Sequence, residues 1–88
     1  MDYEWDEKKR LANLGSHGVD FVSVREFDWD TALIAPDTRR EYGEARFVAL
    51  GIIEDRLHVC VFTDRPGVRR IISLRKANRR EVRMYMGE

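Results

Sequence analysis

Three apolar runs stand in tandem at residues 46–53, 56–63 and 68–75, separated only by Glu54-Asp55 and by Asp64-Arg65-Pro66-Gly67. Each run is rich in Val, Ile and Phe, which suit a pleated, half-buried surface. A parallel return needs a crossover of about a dozen residues or more, so these gaps permit only antiparallel neighbours. The chain is therefore predicted to contain a three-stranded meander, with arginines along the last strand and its flanks.

Strict alternation assigns the faces. In the last run Arg70, Ile72 and Leu74 share one side, and Arg69, Ile71, Ser73 and Arg75 share the other. In the middle run Leu57, Val59 and Val61 oppose Arg56, His58, Cys60 and Phe62. The first run is apolar on both sides, as a strand covered on both faces should be. One face of the sheet is expected to be a core, and the other a partly polar surface bearing arginine.

The flanks supply helices. Tyr3 and Trp5 alternate around Glu4 as in a brief strand or an anchoring arm. Asp6 is a good N-cap for a helix over residues 7–14 that stops at Gly15, with Leu11 and Leu14 as its apolar positions. Ser16-His17-Gly18 then reads as a turn. Asp20 caps a second short helix in which Phe21, Val24 and Phe27 recur every three residues and face the core. Residues 31–35 read as a short strand ended by Pro36, and residues 37–44 as a polar loop. A last helix over residues 77–86 would pack through Val82, Tyr85 and Met86. The expectation is one α+β domain over residues 1–88, with two N-terminal helices, an antiparallel sheet of three to four strands and a C-terminal helix.

Net charge is zero, yet the halves differ. Residues 1–55 carry 7 Lys/Arg against 13 Asp/Glu, a balance of −6, and residues 56–88 carry 9 against 3, a balance of +6. Arginine outnumbers lysine 13 to 3, and arginine is suited to bidentate contact with phosphate or carboxylate. A neutral whole with a basic half implies either a localised anion site or an internal match between the two halves. Cys60 is the single cysteine, which excludes an internal disulfide and suits a reducing compartment. No apolar run approaches about 18 residues and the N-terminus is charged, so a cytoplasmic location and no membrane contact are expected.

No metal-binding or phosphate-cradling motif is visible, and no metal or cofactor is expected. Cys60 and His58 lie two apart on one strand face without a third group to orient a base, which suits a buried thiol better than a nucleophile. What remains is a cationic set: Arg65, Arg69, Arg70, Arg75, Lys76, Arg79, Arg80 and Arg83. Such a set can bind RNA phosphate and stabilise charge that builds during transfer. Metal-free RNA cleavage also needs a base for the 2′-hydroxyl and an acid for the leaving oxygen. His17, His58, Glu44 and Tyr85 are the candidates. Each has a structural alternative: a turn residue for His17, a surface position for His58, an ion pair with Arg46 for Glu44, and helix-to-sheet packing for Tyr85.

Several stretches together resemble one family. They are Trp5-Asp6-x-x-Lys9-x-x-x-Asn13, His17-Gly18-Val19-x-Phe21, Phe27-x-Trp29-Asp30, Glu44-x-Arg46, Gly51, Thr63-x-Arg65, and Arg70-Ile71-Ile72-Ser73-x-Arg75-Lys76-Ala77 with Glu81 and Tyr85. In combination they are similar to the BrnT toxins of type II toxin–antitoxin pairs. The resemblance implies a RelE-like fold and a metal-independent endoribonuclease that inhibits translation. It also implies neutralisation by a ribbon-helix-helix antitoxin of the BrnA type in a 2:2 heterotetramer, which contacts DNA only through the antitoxin. Ser16 stands where a basic residue is common, and Leu74 where a small one is usual. Among matching positions, Arg65, Arg70 and Arg75 are expected at the phosphate, with His17 and Glu44 as acid and base. Lys9, Arg69, Lys76, Arg79 and Arg80 are expected to contact RNA. The alternative is a non-catalytic module that binds protein or nucleic acid through its arginine-rich face.

Overall fold

The computed structural model describes residues 1–88. In chain order the elements are β1 (Tyr3–Glu4), α1 (Glu7–His17), a 3-10 helix (Phe21–Glu26), β2 (Leu33–Pro36), β3 (Phe47–Ile53), β4 (Arg56–Arg65), β5 (Val68–Lys76) and α2 (Arg79–Met86). The expected meander is β3, β4 and β5, and its neighbours pair antiparallel. The sheet has five strands rather than three or four, in the order β1-β5-β4-β3-β2. It is mixed rather than purely antiparallel, because β1 runs parallel to β5 through Tyr3↔Arg69 and Glu4↔Arg70. The long excursion from residue 5 to residue 67 makes that parallel pairing possible.

One face of the sheet carries the main core. Ala49, Ile53, Cys60, Phe62, Ile71 and Leu74 pack there against Val19, Phe21, Val24 and Phe27. Burial of each large side chain in this layer stabilises the fold by about 1.5–3 kcal/mol. The three-residue spacing of Phe21, Val24 and Phe27 is the period of a 3-10 helix, in which residues i and i+3 eclipse on one side. Gly51 is required where Phe27 crosses β3, since a Cβ at that position would overlap the Phe27 ring. Trp29 meets Phe27 and Phe62 at ring-centroid distances of 4.4 and 5.2 Å, and its indole N–H donates to the Tyr3 hydroxyl at 2.6 Å.

Helix α1 continues past Gly15 and ends at His17, so Ser16 and His17 are helical rather than a turn. Gly15 inside a helix costs only about 1 kcal/mol relative to alanine. The terminator is Gly18, at φ 70°, whose N–H donates to Leu14 O. Leu11 and Leu14 are exposed, and the buried residue of α1 is Asn13. Its side chain donates to Leu74 O at 2.7 Å and accepts from Leu74 N at 3.2 Å. β1 pairs with β5 only at Arg69 and Arg70, so Asn13 completes the backbone hydrogen bonding of β5 farther along.

Strand β5 is not regular. Its pairing passes from Val61↔Ser73 to Phe62↔Ile71, leaving Ile72 as an extra residue. This bulge overturns the strict alternation of the sequence reading. Ile71 joins Leu74 in the main core instead of sharing a face with Ser73 and Arg75. Arg70, opposite Thr63, moves to the face of Ser73 and Arg75.

The second face is lined by Leu50, Leu57 and Val59, with Val48, Ile52 and Tyr85 packed against them. Helix α2 covers only one end of it. The helix begins at Arg79, two residues later than expected, because Asn78 and Glu81 form a reciprocal capping box. Tyr85 packs as expected and donates its hydroxyl to Thr31 O at 3.1 Å. Val82 and Met86 are exposed, so α2 rests on the sheet through fewer side chains than its spacing implied.

Candidate functional site

The rest of the second face is open, and the bulge in β5 decides what stands on it. Along β4, Thr63 and Arg65 lie on the same side as Val59 and Val61, and Arg70 and Arg75 sit opposite Thr63 and Val59. Pro66-Gly67 closes the β4–β5 hairpin, and Arg65 pairs with Val68 across it. Strand β1 lies beside β5 and brings Glu4 next to Arg70.

Arg65 and Arg70 converge. Both guanidinium groups reach Oε2 of Glu4, Arg65 Nη1 at 3.4 Å and Arg70 Nη1 in closer contact. Arg65 Nη2 is also 3.8 Å from Oε1 of Glu44. Glu44, in a bend before β3, in turn accepts from Arg46 Nε at 3.3 Å, the ion pair that was the structural alternative for Glu44. The Arg46 guanidinium lies over the Tyr42 ring, 4.1 Å from its centroid. Three arginines, two carboxylates and an aromatic ring thus share one partly exposed corner of the sheet.

Arg75 belongs to the same face, one cleft away. Its Nη1 and Nη2 bond Glu81 at 2.9 and 2.8 Å, and this fork raises the guanidinium pKa further while pulling the Glu81 carboxyl below its usual range. Opposite it, Arg39 grips the buried Asp37 with two bonds of 2.8 Å. Those bonds hold the Asp37 carboxyl well below the ordinary carboxylate value. Between the two pairs lies a cleft of about 320 Å³.

The other expected residues are elsewhere. His17 ends α1 on the main-core side and is exposed, so it does not join Glu44, Arg65 and Arg70. Lys9 lies on the same helix, and Lys76 faces the main-core side opposite His58; both are exposed. Arg79 and Arg80 are exposed in the first turn of α2. Arg69 bonds Asp64 at 2.7 and 2.9 Å and lies over Trp29 and Phe62 at 4.4 and 4.2 Å. That placement caps the aromatic core and leaves little of the guanidinium for a ligand.

His58 is buried, and its Nδ1 is 2.9 Å from Arg56 O, which makes it a donor and hence a protonated Nδ1. Burial first, with the charges of Arg56 and Lys76, lowers its pKa from 6.5. Cys60 is fully buried and burial pushes its thiol up to about 12, so it is no nucleophile near neutral pH. No three His, Cys, Asp or Glu side chains group as a metal site requires. No helix is long and apolar enough to cross a membrane.

Tyr42 was not singled out from the sequence, and neither was Glu4, the carboxylate on which both arginines converge. The only signal for Glu4 was the alternation of Tyr3 and Trp5 around it, which places Glu4 alone on the opposite side of a brief strand. The family model for the ribonuclease toxin, BrnT, of type II toxin-antitoxin system matches residues 5–81. No curated protein matches the sequence.

Proposed function

The chain belongs to the BrnT family of type II toxin–antitoxin ribonuclease toxins, and we propose that it is an endoribonuclease whose scissile phosphate is held by Arg65 and Arg70. The observation that carries this reading is their convergence on Oε2 of Glu4. A carboxylate oxygen between two guanidinium groups occupies the place a phosphate oxygen would take, and arginine binds either in the same geometry. Glu4 is then a resident anion that yields to substrate and keeps the arginines aligned in its absence.

Glu44 serves as general base. Its carboxylate stands 3.8 Å from Arg65 and takes the proton of the 2′-hydroxyl as that oxygen attacks phosphorus. The new O–P bond closes a 2′,3′-cyclic phosphate, and the P–O bond to the 5′-oxygen breaks. Arg70 N–H groups meet the charge on the leaving oxygen, which takes its proton from water. Side chains already on this face supply the base and the phosphate contacts, and water supplies the last proton, so the reaction is proposed to run without a divalent metal. His17 is too far round the fold to be the acid here. With Lys9, Lys76, Arg79 and Arg80 it is left as an outer contact for RNA phosphates.

The finer biology follows the family. The activity is proposed to inhibit translation, in a RelE-like manner and in the cytoplasm, and to be silenced by a ribbon-helix-helix antitoxin in a 2:2 complex. The free edge of β2, with Leu33 and Ile34 exposed, offers a strand for antitoxin pairing. The deciding experiment is incubation of purified protein with single-stranded RNA in excess EDTA. Cleavage to 2′,3′-cyclic phosphate ends is expected. Dependence on added magnesium would defeat the metal-free scheme, and intact RNA under all conditions would defeat the nuclease reading itself.

A further inference from the structure

The cleft beside Arg65 and Arg70 has a chemistry different from theirs. Val48, Val59 and Val61 line it together with Arg39 and Arg75. The two guanidinium groups are near enough that the charge of Arg39 opposes the raised pKa of Arg75. Each is fixed in a two-bonded fork, Arg39 by Asp37 and Arg75 by Glu81. Both guanidinium groups here are closed by two-bonded forks, whereas Arg65 and Arg70 each meet Glu4 through a single nitrogen, so this cleft offers an anion less than they do.

What the cleft offers instead is a small patch of three valines among polar groups, two guanidinium planes held by their carboxylates, and unspent donors. Arg39 Nη1 and Arg75 Nε make no hydrogen bond within the protein. A flat, uncharged ring with polar edges fits that description, since unstacked bases rest on guanidinium planes and are read at their edges. The volume of about 320 Å³ is at the small end of ligand pockets, which suits one ring rather than a peptide. Position agrees. Val61 precedes Thr63, the partner of Arg70, by two residues and Arg65 by four, which is about 7 to 13 Å along a strand.

We infer that this cleft is a nucleobase subsite, which takes one unstacked base of single-stranded RNA next to the phosphate held by Arg65 and Arg70. The inference rests on the ribonuclease reading, and it makes Arg39 and Ser73 determinants of where the chain cuts. Ser73 is half-buried on the cleft lining and adds a hydroxyl that can pair with a base edge.

The test uses binding of a 2′-fluoro tetranucleotide, which lacks the attacking hydroxyl and is not cleaved. A single abasic residue is moved through its positions, so that every phosphate charge is retained. The wild-type protein should lose about tenfold in affinity when the abasic residue reaches one position, and little at the others. Arg39→Ala should reduce that positional loss to less than about twofold. Ser73→Phe, which fills the cleft without altering a charge, should do the same. Arg25→Ala, an exposed arginine on the 3-10 helix, should keep it. Equal losses at every position, or a single-position loss that survives in both Arg39→Ala and Ser73→Phe, would overturn the subsite. A positional loss in a protein that never cleaves natural RNA would sink the ribonuclease reading and leave the subsite standing. Failure of the tetranucleotide to bind would remove both.

Discussion

Arg65 and Arg70, on either side of the Pro66-Gly67 turn, direct their guanidinium groups at the same oxygen of Glu4. Two unrelated features bring this about. The hairpin sets Arg65 at the end of β4, and the extra residue Ile72 turns Arg70 to the face that Arg65 already occupies. Without the bulge, strict alternation would leave Arg70 on the face of Leu74.

Replacement of either arginine separates function from stability. Arg65→Ala and Arg70→Ala should each lower RNA cleavage by about 100-fold or more and abolish growth inhibition on induced expression. The ion pairs they break are partly exposed, with the Arg65 side chain 48% accessible. Such pairs contribute about 0–1 kcal/mol, so Tm should fall by no more than about 8 °C. Thermal unfolding alongside cleavage checks both. Unfolded variants would assign the arginines to structure, and fully active ones would remove them from the site.

His58 gives the fold a pH dependence of defined sign. Its pKa is lowered from 6.5 in the folded state, chiefly by burial, so the unfolded chain binds this proton first. The stability it contributes is complete above pH 6.5 and declines as pH falls toward the folded value. Tm should therefore drop between pH 7.5 and 5.5, and His58→Gln should flatten that slope. Equal slopes in the two proteins would show that other groups set it.

Gly51→Ala should destabilise by about 1–3 kcal/mol, because the added methyl overpacks the site where the Phe27 ring lies against the backbone of β3. Phe27→Leu in the same chain should recover part of that loss, giving a double variant less destabilised than the sum of its parts. Denaturant unfolding of the four proteins measures the coupling. Simple additivity would mean that Phe27 moves aside freely.

The meander, the caps at Asp6 and Asp20, the three-residue period of the 3-10 helix and the arginine-bearing face were all legible in the sequence, because each follows from local pattern. The features that assemble the site are not local. β1 is two residues long, and the alternation of Tyr3 and Trp5 suggests a brief strand but not its partner, which lies over sixty residues away. Nothing in Arg70-Ile71-Ile72-Ser73 marks where the bulge falls, since every residue there suits a strand. Local spacing picks out Leu11 and Leu14 as the apolar positions of α1, yet it is Asn13 that is buried, because β5 has backbone groups to satisfy there. The end of α1 was misplaced for a related reason. Gly15 reads as the terminator and Gly18 as part of the following turn, yet only Gly18 has the left-handed backbone that ends the helix. The exposed apolar residues of α2 and β2 were also hidden, since spacing tells which residues share a face but not whether anything covers it.

The two carboxylates near Arg65 should respond in opposite ways. Glu4 competes with phosphate for Arg65 and Arg70, so Glu4→Gln should bind non-cleavable RNA more tightly, by about tenfold, the worth of one charge-assisted hydrogen bond. Glu44 stands beside Arg65 without closing the gap between the arginines, so Glu44→Gln should change RNA affinity little. It should nevertheless lower the cleavage rate by about 100-fold or more, because glutamine cannot take the 2′-hydroxyl proton. Binding by fluorescence anisotropy and single-turnover cleavage resolve the two effects. If Glu4→Gln instead abolishes cleavage while Glu44→Gln retains it, Glu4 is the base and the resident-anion role is wrong. If neither substitution alters the rate, the proton leaves by another route and the carboxylates serve only to hold the arginines in place.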